Sequence, residues 1–130
     1  MKRVALVALF LLTGISLFSQ DTQKELLDLG IMKAKLGDYE AALKDLNMAV
    51  SIDSLEPEPW YNRGVVKSEM EDYLGAVADF TIVISLSPNY PEPWYNRGVA
   101  KDYLGDFAGA VLDYSKAILL KADYPEAYLN

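Results

Sequence analysis

Cysteine and histidine are both absent from the 130 residues. Their absence excludes disulfides, thiolate nucleophiles, Ser-His and Cys-His catalytic pairs, and metal sites built on nitrogen or sulfur ligands. Basic residues are scarce as well, 12 against 19 acidic, for a net charge of −7 and a pI near 4.5. That is the wrong sign for gripping a polyphosphate backbone, so nucleic acid is not an expected partner. Long apolar runs are missing too: the stretch from Val4 to Phe18, counted generously, falls short of the ~20 residues that a helix needs to cross a bilayer. What remains is a chain 52% apolar and 24% charged, enough to bury one ordinary core.

The first residues differ from the rest. Met1-Lys2-Arg3 precedes the unbroken apolar run Val4 to Leu12, and no acid occurs before Asp21. This is the pattern of a cleaved secretory signal, expected over 1–19. Cutting after Ser19 leaves Leu17 at an imperfect place, whereas Gly14-Ile15-Ser16 fits the small-x-small rule but cuts early. With no cysteine at the cut, a lipid anchor of the lipoprotein type is not available. Removing Lys2 and Arg3 leaves 10 basic against 19 acidic residues, a net of −9. The expected product is an acidic exported domain, located in a bacterial periplasm or outside the cell, with no membrane span after cleavage.

A shift of 34 residues superimposes Pro57-Glu58-Pro59-Trp60-Tyr61-Asn62-Arg63-Gly64-Val65 on residues 91–99 without a mismatch, and 18 of the 34 positions in 57–90 recur in 91–124. Residues 23–56 pair with 57–90 at seven positions, Gly30, Asp38, Tyr39 and Ala42 among them. The organisation is therefore three repeats, 23–56, 57–90 and 91–124, with Pro125 to Asn130 opening a fourth. Each unit carries two helical periods. Pro57 and Pro59 suit a first turn, where the missing N–H is not needed. Asp38, Asp72 and Asp106 stand at the N-cap of the second helix of each unit. Thr22 with Glu25 reads as a capping box that starts the first helix. Large residues (Leu26, Trp60, Trp94, Tyr128) recur with small ones (Gly30, Gly64, Gly98; Ala42, Ala76, Ala110), as close helix packing requires. Trp60 and Trp94 are expected in the core.

Trp60, Gly64, Tyr73, Ala76, Phe80 and Pro88, at this period, resemble the tetratricopeptide repeat over 23–130. The resemblance implies an all-α solenoid of three helix-turn-helix units, a right-handed superhelix after the signal segment. Ser54 and Ala122 depart from the pattern, standing where the family often has proline. The resemblance also implies a scaffold or adaptor that holds a peptide or helix of another exported protein against a concave wall of first helices. That wall takes Lys24, Leu27, Asp28 and Ile31 from the first unit and Glu58, Tyr61, Asn62, Val65 and Glu69 from the second. From the third come Glu92, Tyr95, Asn96, Val99, Asp102 and Tyr103. Family members that grip the acidic tail of heat-shock chaperones use lysine, arginine and asparagine at the positions of Leu27, Ile31, Asn62, Glu92 and Asn96; only Asn62 agrees. The expected ligand is accordingly neutral to basic, with apolar anchors.

Arg63 and Arg97 take the place of Leu29, while Asp45, Asp79 and Asp113 recur in every second helix. Pairing each aspartate with the arginine of the following unit gives Asp45 with Arg63 and Asp79 with Arg97, and leaves Leu29 needing no partner. No acid pair in a cleft, calcium loop or Gly-rich phosphate cradle appears, so neither catalysis nor a cofactor is expected. The alternative roles are assembly through an uncapped last repeat, including a homodimer, and service as the front part of a longer repeat protein.

Overall fold

In the computed structural model, residues 2–122 are described, with side-chain surroundings from residue 13 onward. They form six helices and, among the described residues, no strand: α1 (Lys2–Lys35), α2 (Tyr39–Ile52), α3 (Pro57–Glu69), α4 (Tyr73–Leu86), α5 (Pro91–Tyr103) and α6 (Phe107–Ala122). They pair as α1/α2, α3/α4 and α5/α6, one pair per repeat. The expected start of a fourth unit at 125–130 lies outside the described residues.

Each boundary follows from local chemistry. Asp38, Asp72 and Asp106 cap their helices, with side-chain oxygens accepting from the N–H of Ala41, Gly75 and Gly109. Proline begins α3 and α5, followed by Glu58 and Glu92 in the first turn, where a negative charge meets the positive end of the helix dipole. The turn inside each unit is closed by the N–H of the capping aspartate on the carbonyl of Lys33, Lys67 or Lys101. That turn needs one left-handed residue, supplied by Gly37 and Gly105 at φ 80° and by Glu71 at 63°. A non-glycine there carries strain of about 1–2 kcal/mol.

One expectation about a helix end is corrected. Thr22 does not start a helix: α1 runs through it, and its hydroxyl donates to the Phe18 carbonyl one turn back. The apolar residues before it are good helix formers, so the helix propagates past a capping signal that nothing else terminates. At the other end, α6 is 16 residues long against 14 for α4, ending at Ala122, the counterpart of Pro88.

Inside a unit, a glycine on the first helix faces a bulky side chain on the second. A Cβ on Gly64 would sit 2.9 Å from the Phe80 ring, and one on Gly98 would sit 2.8 Å from Tyr114. Phe80 is fully buried, and so are Ala42, Leu46, Ala49, Ala76 and Val83. Gln23, also buried, donates to the carbonyls of Ala49 and Asp53, satisfying groups that the end of α2 leaves free. Trp60 and Trp94 are only half-buried. Their indole N–H groups donate to the Ser54 and Pro88 carbonyls, and the guanidinium groups of Arg63 and Arg97 cover their faces at 4.7 and 5.1 Å. Pro59 and Pro93 fill the buried places beside them, which corrects the core assignment of the tryptophans.

Contacts between units are unequal. First helices touch first helices, α1 with α3 and α3 with α5, whereas α2 and α4, or α4 and α6, do not meet. The wall made by α1, α3 and α5 is therefore the shorter one, and it is the hollow side of the stack.

Candidate functional site

The aspartates of the second helices organise the framework behind that wall. Asp79 accepts from Arg63 Nε and Nη2, both at 2.8 Å, and from Lys67 Nζ at 3.0 Å. Asp113 repeats the arrangement with Arg97 at 2.8 and 2.7 Å and Lys101 at 2.9 Å. The expected pairs Asp45 with Arg63 and Asp79 with Arg97 are thus wrong: each arginine binds the aspartate of its own unit, and Asp45 pairs with Lys33. Nε and Nη2 of each arginine form a fork that matches a carboxylate, and the buried aspartate of the same unit takes it. The overlooked signal is that Lys33, Lys67 and Lys101 recur at the same period as the aspartates. The arginine does reach the preceding unit, two residues beyond the expected place: Arg63 Nη1 donates to Asn47 at 3.0 Å and Arg97 Nη1 to Thr81 at 3.1 Å.

Three depressions run along the first helices. One, of about 280 Å³, lies between α1 and α3 and is lined by Ile31, Lys35, Tyr39, Asn62, Val65 and Glu69 among others. A second, of about 380 Å³, shares Ile31 and Asn62 with it and adds Pro57, Glu58, Tyr61 and Tyr90. A third, of about 300 Å³, adjoins it at Glu58 and includes Gln23, Lys24, Leu27 and Asp28. Of the sequence-predicted wall, Ile31, Glu58, Tyr61, Asn62 and Val65 come together here. Leu27 reaches only the third depression and shows little surface there, because it is 7% exposed and packs with Ala42, Leu46 and Val66. At the position that Tyr61 occupies one unit later, a leucine has no hydroxyl to keep in water and joins the core.

On α5, Asn96 donates to the Tyr61 hydroxyl at 3.0 Å, tying the second and third units. Glu92 and Val99 are half-buried, while Tyr95 is 52% exposed and rests its ring on Tyr114. Asn62 donates to the carbonyl of Glu58 in its own helix and lines both of the first two depressions. Tyr90 was missed by the repeat comparison. Its ring lies 5.6 Å from that of Tyr61, tilted by 49°, and burial pushes its hydroxyl up to about 12, helped by Tyr61, Glu92 and Glu58. Its recurrence as Tyr124, 34 residues on and again before Pro-Glu, was the available signal. The Tyr114 hydroxyl is raised as well, first by burial and then by the charge of Asp102. Across the unit boundary, Tyr73 and Tyr103 stack at 4.5 Å with their planes parallel to within 1°. The wall is thus aromatic and apolar at its floor, and at its rim the carboxylates of Asp28, Glu58 and Glu69 outnumber the cations Lys24 and Lys35.

Comparisons with known proteins agree with this geometry. A family model described as tetratricopeptide repeat matches residues 91–124. The second TPR of Spaghetti (RPAP3), solved bound to the HSP90 peptide SRMEEVD, is similar with a TM-score of 0.75 and 26% identity, over 78% of this chain and 96% of that one. The Arabidopsis OM64 TPR domain superimposes with a TM-score of 0.78 at 17% identity, over 81% and 87% of the two chains. The Yersinia enterocolitica type III secretion translocator chaperone SycD, in an alternative dimer, gives 0.78 at 22%, over 82% and 80%. No curated protein matches the sequence.

Proposed function

We propose that this chain, a tetratricopeptide-repeat protein by its third unit and by its fold, is a protein-interaction scaffold that binds an extended segment of another protein along α1, α3 and α5. The observation that carries this reading is the joined pair of depressions lined by Ile31, Tyr61, Asn62, Val65 and Tyr90, with Glu58 and Glu69 at the edges. Tyrosine offers large contact area at low entropic cost, and an asparagine amide pairs with a bound backbone. The ligand is neutral to basic with apolar anchors. The second TPR of Spaghetti binds the acidic peptide SRMEEVD, but this wall has Leu27, Ile31 and Glu92 where a carboxylate-gripping relative would place basic or amide groups. A sequence with neither histidine nor cysteine supports a role without catalysis or cofactor.

The lysine, arginine and apolar run of residues 2–12 support export directed by 1–19, so the partner is another exported protein in the envelope. A second role, self-association through α6, is supported by the 60–70% exposure of Phe107, Val111, Ile118 and Leu119. Titration with an acidic and a basic peptide of equal length and identical apolar anchors tests the groove. The basic peptide binds tighter, its affinity falls with salt, and the unliganded protein runs as a monomer. Tighter binding of the acidic peptide overturns the charge argument, and a dimer that binds neither peptide transfers the function to α6.

A further inference from the structure

We propose that the depression between Tyr61 and Tyr90 is a pocket for one basic side chain, lysine or arginine, of the bound segment. This deepens the groove reading above and rests on it. The two rings are in contact with each other, 5.6 Å apart and tilted by 49°, and both line the cavity. Each is held in place. Tyr61 is fixed on one side by Phe80, with centroids 5.9 Å apart, and at its hydroxyl by Asn96. Tyr90 is fixed by its place directly before Pro91, where the backbone is restricted to an extended conformation.

The rest of the lining divides along the length of such a side chain. Ile31 and Pro57 cover an aliphatic stem, and the Glu58 carboxylate accepts from its head. Glu92 adds negative charge next to Tyr90. Two tyrosine faces and carboxylates around one cavity attract a cation and disfavour an anion. Among the described residues, the protein's own cations cover other rings. Arg63 and Arg97 lie over Trp60 and Trp94, and Lys116 lies 5.9 Å from Trp94, while none covers Tyr61 or Tyr90. No lysine or arginine lines the cavity.

The test uses the full chain and two probes, N-acetyl-arginine amide and its neutral isostere N-acetyl-citrulline amide, followed by NMR of the tyrosine rings. A basic peptide with leucine anchors is run in parallel. The arginine probe shifts Tyr61 and Tyr90 saturably, and citrulline binds about tenfold more weakly or not at all. Tyr90→Leu weakens the peptide by about tenfold and Glu58→Gln by about threefold, and Tyr90→Phe, which keeps the ring, stays within about twofold of the unmodified protein. Tyr90 is more than a third exposed, so its variants fold, which circular dichroism verifies. Equal binding of citrulline, or peptide affinity indifferent to Tyr90→Leu and Glu58→Gln, overturns the pocket while the groove stands. If neither the peptide nor the arginine probe binds, both readings fail.

Discussion

Residues 57–65 and 91–99 are the same nine amino acids, yet they live in different surroundings. Both begin a helix at the same proline, both place a glycine against a ring, and both send an arginine to an aspartate sixteen residues on. There the likeness stops. Gly64 faces Phe80, which is fully buried, whereas Gly98 faces Tyr114, which is half-exposed. Tyr61 has Phe80, Tyr90 and Asn96 around it, but Tyr95 has Tyr114 and water. Identical segments acquire unequal weight from what is stacked on them, and the middle unit, covered on both sides, has the built cavity.

The largest expected separation between the two is in the core. Phe80→Ala costs about 3–5 kcal/mol through lost burial and a cavity, and Tyr114→Ala about 1–2 kcal/mol, because its ring gives up less buried area. Urea denaturation of both variants measures this, and equal losses would show that the third unit is covered as well as the second.

Acid reads the Arg97 end of the second segment. Burial alone raises the Asp113 carboxyl, but hydrogen bonds from Arg97 and Lys101, with their charges, outweigh it and hold the group below its ordinary 3.8. A carboxylate so lowered contributes stability that is present above 3.8 and lost as pH falls through its lowered value. The urea midpoint of the unmodified protein is therefore expected to drop across that acid range more steeply than that of Asp113→Asn, which starts lower at neutral pH. Parallel curves would refute the assignment.

The smallest difference is a single hydroxyl. Tyr61→Phe removes the acceptor of the Asn96 bond and costs about 1 kcal/mol, while Tyr95→Phe stays within about 0.5 kcal/mol. Thermal midpoints of the two variants decide it, and equal shifts would mean that the link between units carries no stability.

Much of this was legible before any coordinates. The three capping aspartates, the prolines at α3 and α5 and the glycines opposite bulky partners each depend on residues a few positions away, so spacing alone finds them. Thr22 misled because a capping signal acts only where the chain before it leaves the helix, and the apolar residues preceding it do not. Leu27 misled because the repeat alignment assigns position, not polarity. Arg63 and Arg97 misled because each has one aspartate sixteen residues after it in its own unit and another eighteen residues before it in the preceding unit, and only the side-chain path chooses between them. Tyr90 lay outside every helix pattern and was found by its ring contacts.

The 34-residue rhythm of large and small side chains dictated three antiparallel helix pairs, since close approach of two helices is a matter of local volume. Which wall is the hollow one, which of two identical tyrosines is enclosed and which aspartate each arginine binds were settled only when the pairs stacked. Those outcomes depend on neighbours far away in the chain, whose distances no single segment encodes.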